Sequence, residues 1–192
     1  MELTPHLYHW FIRPKWITQK YIHNLLTEHV HFSKKCVLDF GAGTGANSVI
    51  CEPSGYLGLD LSKKRIEFAK RTYPDYRFDV INGFTLPVME QSFDVIMIIA
   101  VLHHIPPKKV NSYIKEFRKA LNPDGGKIVV IEPCFFENTP VSNWFMDKND
   151  NGNYIQDEEA YLNFFLNEGF QCKVLKRYSK CCFYNELFFI AY

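Results

Sequence analysis

One stretch of this chain narrows its folding options more than any other. Val37-Leu38-Asp39-Phe40 is a short apolar run, and Gly41-Ala42-Gly43-Thr44-Gly45 follows it without a gap. A strand ending on a glycine-rich turn is the geometry found at the carboxyl edge of open α/β sheets, where ligands bind. Glycine permits the turn and lets backbone N–H groups approach a ligand with no Cβ in the way. The rest of the chain agrees. From Cys36 onward, short apolar runs alternate with segments of helical period, which is the order of a mostly parallel sheet covered by helices.

The pattern predicts strands at Cys36–Phe40, Tyr56–Asp60, Arg77–Ile81, Phe93–Ile99 and Lys127–Glu132. The run Val95-Ile96-Met97-Ile98-Ile99 suits a strand buried on both faces. Ser62 is placed to cap a helix with Ile66, Ala69 and Tyr73 on one face, ended by Pro74. A second helix starts at Pro106-Pro107 and carries Val110, Ile114, Phe117 and Leu121 at helical spacing. A third runs from about Glu158 to Glu168, and the runs Phe170–Tyr178 and Cys182–Ala191 are expected to pair as a terminal hairpin. Two segments stand outside the alternation. Residues 1–32 hold Tyr8, Trp10, Phe11, Trp16, Tyr21 and Phe32, with a helix from Ile17 to Val30, and are expected to cap the sheet. The stretch from Cys134 to Gln156 is longer than most loops in compact domains, which marks a functional or mobile insertion.

Composition sets limits on function. A chain of 192 residues is long enough for one substantial core, so one domain over 1–192 is expected. Its 22 Lys and Arg nearly balance 21 Asp and Glu, so no overall field favours nucleic acid or an anionic membrane. The longest mostly apolar stretch, Phe93 to Ile105, is too short to span a bilayer and contains Asp94 and two histidines. The six cysteines show no C-x-x-C pair and no zinc spacing, so free thiols in a reducing cytoplasm are expected. A monomer or a homodimer would suit such a chain.

A second element strengthens the glycine turn. Asp60 closes the next strand, where a carboxylate can accept hydrogen bonds from both hydroxyls of a ribose. With VLDFGAGTG and LGLDLS, and further with NGFTLPVMEQSFDVIMIIAVLHHI and GGKIVVIEP, the chain resembles the class I S-adenosylmethionine-dependent methyltransferases, particularly the branch that methylates quinones and small metabolites. The resemblance runs from about Cys36 to the C-terminus. It implies a Rossmann-like three-layer α/β sandwich with a seven-stranded, mostly parallel sheet whose last strand is antiparallel. It also implies S-adenosylmethionine as cofactor, S-adenosylhomocysteine as product and a small-molecule methyl acceptor. Gly41 and Gly43 would lie beside the methionine part of the cofactor, with Ala42 between them, and Asp39 would help hold its amino group. Asp60 would hold the ribose, Leu61 would lie against the adenine, and the backbone near Ala100 would meet the methionine end. Asn82, followed by Gly83, stands where the family usually has an Asp that reads the adenine amino group. An amide oxygen can still accept that bond.

Other meanings of the same residues remain open. Gly41-x-Gly43-x-x-Ala46 also satisfies the dinucleotide pattern of NAD-dependent oxidoreductases, although Leu86-Pro87, Ser92-Phe93-Asp94 and Leu102-His103-His104 belong to the methyltransferase resemblance. A non-catalytic protein of the same fold could retain the cofactor or its demethylated product and act as a partner or regulator. His103 and His104 follow the fourth strand at the edge where a base for a weakly acidic acceptor would sit. Alternatively, one packs below the loop and the other caps the helix at Pro106. Phe135, Phe136, Trp144 and Phe145 suit an apolar or aromatic acceptor, and Arg13 or Lys15 suits a carboxylate. Asp147-x-Asn149-x-Asn151-Gly152, with Glu158 beyond, satisfies the calcium-loop pattern, although Asn replaces Asp at two ligand positions and no partner hand is present.

Overall fold

The computed structural model describes residues 15–83, 85–181 and 183–192. Its contacts gather into two compact units, one ending at Gly83 and one beginning after it.

The first unit opens with a helical segment, α1, made of Lys15–Thr18, a π-type turn at Gln19–His23, and Asn24–His29. Ile22, Leu25 and Leu26 are its buried apolar side chains, spaced as one helical stripe requires, and Val30, buried too, follows in extended backbone. Strand β1 is Val37–Phe40, β2 is Tyr56–Asp60, helix α2 is Lys63–Thr72 and β3 is Arg77–Val80. The strands run in the order β3-β2-β1, parallel throughout, with Leu38 opposite Leu57 and Asp60 opposite Val80. Every residue of β1 and β2 is buried, whereas Arg77 on the outer strand is exposed. Ser62 caps α2 as its sequence position suggests, accepting the Arg65 backbone N–H at 3.4 Å. No α-helix joins β1 to β2, and that connection contains only the short 3-10 turns Ser48–Ile50 and Pro53–Gly55.

The second unit contains β4 (Val95–Ile99), α3 (Pro107–Ala120), β5 (Lys127–Phe135), α4 (Pro140–Asn149), β6 (Gln156–Asp157), α5 (Glu158–Leu166), β7 (Cys172–Lys180) and β8 (Tyr184–Ala191). Its main strands lie in the order β4-β5-β8-β7. β4 and β5 are parallel, and β8 turns back antiparallel to both β5 and β7, so the expected terminal hairpin forms. Val110, Ile114 and Phe117 of α3 are fully buried. Each such side chain contributes about 1.5–3 kcal/mol relative to an exposed one. Phe165 of α5 meets Phe189 of β8 edge to face at 5.3 Å, closing the core on the other side of the hairpin.

The 134–156 stretch departs from the expected loop. It contains α4, and its ends are pinned to each other because β6 pairs with β5, Cys134 opposite Gln156 and Phe135 opposite Asp157. Pro140 occupies the first turn of α4, where its missing N–H costs nothing. Only Ser142 and Met146 are buried on this helix, one turn apart. No helix among the described residues is long and apolar enough to cross a membrane. Cys36, Cys51, Cys134, Cys172 and Cys181 are free thiols.

Candidate functional site

The glycine turn leaves β1 with three glycines at positive φ: Gly41 at 77°, Gly43 at 57° and Gly45 at 81°. They serve different ends. A Cβ on Gly45 would meet the Phe78 ring at 2.8 Å and Tyr73 at 3.0 Å, so this glycine lets the turn pack on β3 and α2. A Cβ on Gly43 would find nothing nearer than Gly41 O at 3.9 Å and Asp60 Oδ2 at 4.0 Å. Gly43 therefore borders open space beside a carboxylate.

Asp60 connects that turn to the end of β2. Its Oδ2 accepts the Gly43 N–H at 2.9 Å and its Oδ1 accepts the Ser62 N–H at 2.7 Å. A carboxylate has about four acceptor sites, so both oxygens keep capacity for a diol. Leu61 follows with 63% of its surface exposed, which is unusual for leucine and provides an apolar face at the strand end. Asn82 and Gly83 are exposed beyond the end of β3, beside β2, where Ile81 N–H bonds Asp60 O at 3.1 Å. An open cradle, a diol-ready carboxylate, an apolar platform and an amide in one unit fit an adenosine.

Asp39 lies deeper, only 1% exposed, and its Oδ2 accepts the Tyr56 hydroxyl at 2.8 Å. Burial first, and then the Asp39 charge, push the Tyr56 hydroxyl and the Cys51 thiol well above their ordinary pKa values. A buried anion below the turn is suited to attract an ammonium group. Tyr56 is a partner that sequence inspection missed. It opens β2 in register with Val37, two residues before Asp39, and its long side chain reaches that carboxylate diagonally across the strand pair.

In the second unit, Ala100 directly follows β4 at φ 56° and donates its N–H to Ile131 O at 2.8 Å. The 3-10 turn Leu102–His104 follows. His103 is buried at 3% exposure, whereas His104 is exposed, and their rings lie 4.0 Å apart. His103 thus packs below the turn, but the cap position of α3 falls on Pro106 and carries no side-chain cap bond. Glu132 of β5 also escaped sequence inspection. It is fully buried and bonds the turn through Val101 N–H at 2.7 Å, Leu102 N–H at 2.8 Å and His103 Nδ1 at 2.7 Å. The available signal was a lone carboxylate inside the apolar run of β5, since a buried charge needs partners.

The calcium-pattern residues are not brought together. Asp147 and Asn149 lie within α4, Asp147 pairs with Lys148, and Glu158 grips Arg177 with both oxygens. Among the described residues, no group of three or more His, Cys, Asp or Glu side chains could hold a metal ion. Gly152 has another reason to be glycine, because a Cβ there would overlap His103 Cδ2. Val141, Trp144 and Phe145 of α4 are exposed, and Phe145 meets exposed Phe183 at 6.0 Å. Lys15 is exposed at the start of α1, while Arg13, Tyr8, Trp10 and Phe11 lie outside the described residues.

Comparison with solved structures gives the fold. A SAM-dependent methyltransferase from Aquifex aeolicus superposes over 100% of both chains with a TM-score of 0.72 at 14% identity, and the architecture is the Rossmann-like methyltransferase fold. The family model described as "Methyltransferase domain" matches residues 37–125, so this part of the chain is similar to that family. An uncharacterised methyltransferase of Oceanobacillus iheyensis is 28% identical over 117 residues, 59% of this chain and 53% of that one. A demethylmenaquinone methyltransferase of Tropheryma whipplei is 30% identical over 101 residues, 50% of this chain and 41% of that one. The chain spans about half the length of these curated relatives.

Proposed function

We propose that this protein transfers a methyl group from S-adenosylmethionine to a small apolar or aromatic acceptor. The observation that carries the reading is the open cradle at Gly43 beside Asp60, whose carboxylate orders the turn and retains capacity for a ribose. In this reading Asp60 holds the ribose diol, Leu61 covers the adenine, and Asn82 with Gly83 borders its amino edge. Gly41, Ala42 and Gly43 line the methionine part, Asp39 draws its ammonium group through the floor of the turn, and the family resemblance assigns the backbone at Ala100 to the methionine end.

When bound, the cofactor supplies an electrophilic methyl on a sulfonium, which leaves as a neutral thioether. The chain's own task is alignment, since placing an acceptor lone pair opposite the sulfur supplies much of the rate. An acceptor O–H also needs somewhere to send its proton. His104, exposed on the turn after β4, is the group offered for that transfer, since imidazole is the side chain whose chemistry suits proton exchange near neutral pH. The apolar rim of Val141, Trp144, Phe145 and Phe183 supports an acceptor with an extended apolar body, as does the printed name of the Tropheryma relative.

The deciding experiment incubates the protein with methyl-labelled S-adenosylmethionine and a fractionated small-molecule extract. Label should move into an organic-soluble compound, and Asp60→Ala should stop it. A protein that binds the cofactor tightly yet labels nothing would be a non-catalytic binder, and one that does not bind it at all would sink the proposal.

A further inference from the structure

His103 is held at both ring nitrogens. Nδ1 lies 2.7 Å from Glu132 Oε2, and Nε2 lies 3.5 Å from Asp150 Oδ1. All the bonds on Glu132 are donated to it, including the His103 backbone N–H at 3.4 Å, as suits an ionised carboxylate that can only accept. Against such an acceptor, Nδ1 is the side that donates. Asp150 likewise accepts the Gly152 N–H at 2.5 Å and the Tyr184 hydroxyl. A neutral ring would aim its Nε2 lone pair at that second carboxylate inside a buried cluster, where like charges are poorly screened. A second proton turns this repulsion into an ion pair.

The same histidine joins two pieces of chain. Its backbone and Glu132 hold the turn that follows Ala100, and Ala100 sits at a left-handed φ that costs a non-glycine residue about 1–2 kcal/mol. On the other side, Tyr154 N–H bonds His103 O at 3.0 Å, and Gly152 packs so close to the ring that an added Cβ would overlap His103 Cδ2. The segment Asp150–Tyr154 is thus fastened to the turn through one residue.

We propose that His103 is a positioning residue, an imidazolium clamped between Glu132 and Asp150, which locks the turn at Ala100 to the segment after α4 and does not exchange a proton with the acceptor. This role rests on the methyltransferase reading above, which gives the Ala100 turn its task. The other titratable groups nearby are His104 on the same turn, Tyr184 of β8 against Asp150, and Tyr161 of α5 and Cys134 of β5 near Glu132. Burial pushes Tyr184, Tyr161 and Cys134 upward, so all three stay neutral at physiological pH. The further charges around the cluster are Glu186 of β8, paired with Lys180, and Asp157, Glu158 and Arg177 on the Cys134 side, so the carboxylates in contact with the ring are Glu132 and Asp150.

The test is NMR of the full chain with ¹⁵N-labelled histidine rings, with His103 assigned through His103→Gln. Both His103 nitrogens should report as protonated at pH 7 and stay so at least one unit above the ordinary histidine pKa of about 6.5. A single protonated nitrogen at pH 7 would overturn the proposal. Glu132→Gln removes one anion and presents an N–H₂ to Nδ1, so the ring should become neutral at pH 8. Affinity for S-adenosylmethionine should then fall about tenfold at pH 8, the scale of one charged hydrogen bond, and recover toward pH 6. Wild-type affinity should stay flat over that range. If Glu132→Gln does not fold, Asp150→Asn should give the same pH-dependent loss. A variant whose affinity is flat in pH would count against the clamp. Failure of the wild type to bind the cofactor would defeat the functional reading and leave the ring spectrum readable.

Discussion

At the level of single residues, Gly43 and Gly45 show how one motif serves two purposes. Gly45 is crowded by Phe78 and Tyr73, while Gly43 borders open space. Both hold a positive φ, so alanine at either adds about 1–2 kcal/mol of backbone strain. Gly45→Ala adds a ring clash and should lower the melting temperature by more than Gly43→Ala. Gly43→Ala should instead weaken cofactor affinity out of proportion to its melting shift, read by calorimetric titration beside thermal melts. Asp60→Ala removes an acceptor of charged hydrogen bonds, each worth about 1.5–3 kcal/mol. Cofactor affinity should fall about a hundredfold, and Asp60→Asn should retain part of it. Tyr56→Phe leaves the buried Asp39 carboxylate short of one donor. Urea unfolding should show a loss of about 1–3 kcal/mol.

The elements differ in how clearly the sequence announces them. β2, β4 and β5 are buried along nearly their whole lengths, so their apolar runs stand out. α3 is equally plain, because Val110, Ile114 and Phe117 repeat at the spacing of one buried stripe. α4 gave no such sign. Its inward side is Ser142 and Met146 alone, and its aromatics point outward, which reverses the usual amphipathic pattern. β6 is two residues long and exists because Cys134 and Gln156 meet. The outward aromatics carry a prediction of their own. Trp144 is 64% exposed, so Trp144→Ala should change stability by no more than about 0.5 kcal/mol. Cofactor affinity should be unchanged, while KM for an apolar acceptor should rise several-fold in steady-state assays.

Over the whole molecule, the glycine turn and Asp60 were legible because their spacing along the chain is their arrangement in space. Tyr56, Glu132 and Asp150 were not, since their partners are set by strand register and by a loop folding back. These buried polar groups leave a collective signature in pH. Tyr56, Tyr161, Tyr178 and Tyr184 all have hydroxyls pushed above the ordinary tyrosine range by burial, then by nearby carboxylates. Each stays protonated in the fold and ionises in the unfolded chain, so its contribution is complete below pH ~10 and is lost as pH rises past that value. Unfolding free energy should fall by about 1.4 kcal/mol per pH unit for each such tyrosine. Denaturant titrations between pH 9 and pH 11 would reveal the slope, and replacing Tyr178 by Phe should make it shallower.

The pairing of Cys134 with Gln156 has one more implication. A stretch whose two ends are stitched to neighbouring rungs of a ladder behaves as an interchangeable cassette. Its interior can be rewritten or lengthened while the strands beneath keep their alignment, which makes the segment a natural place to graft new surface without disturbing the sheet.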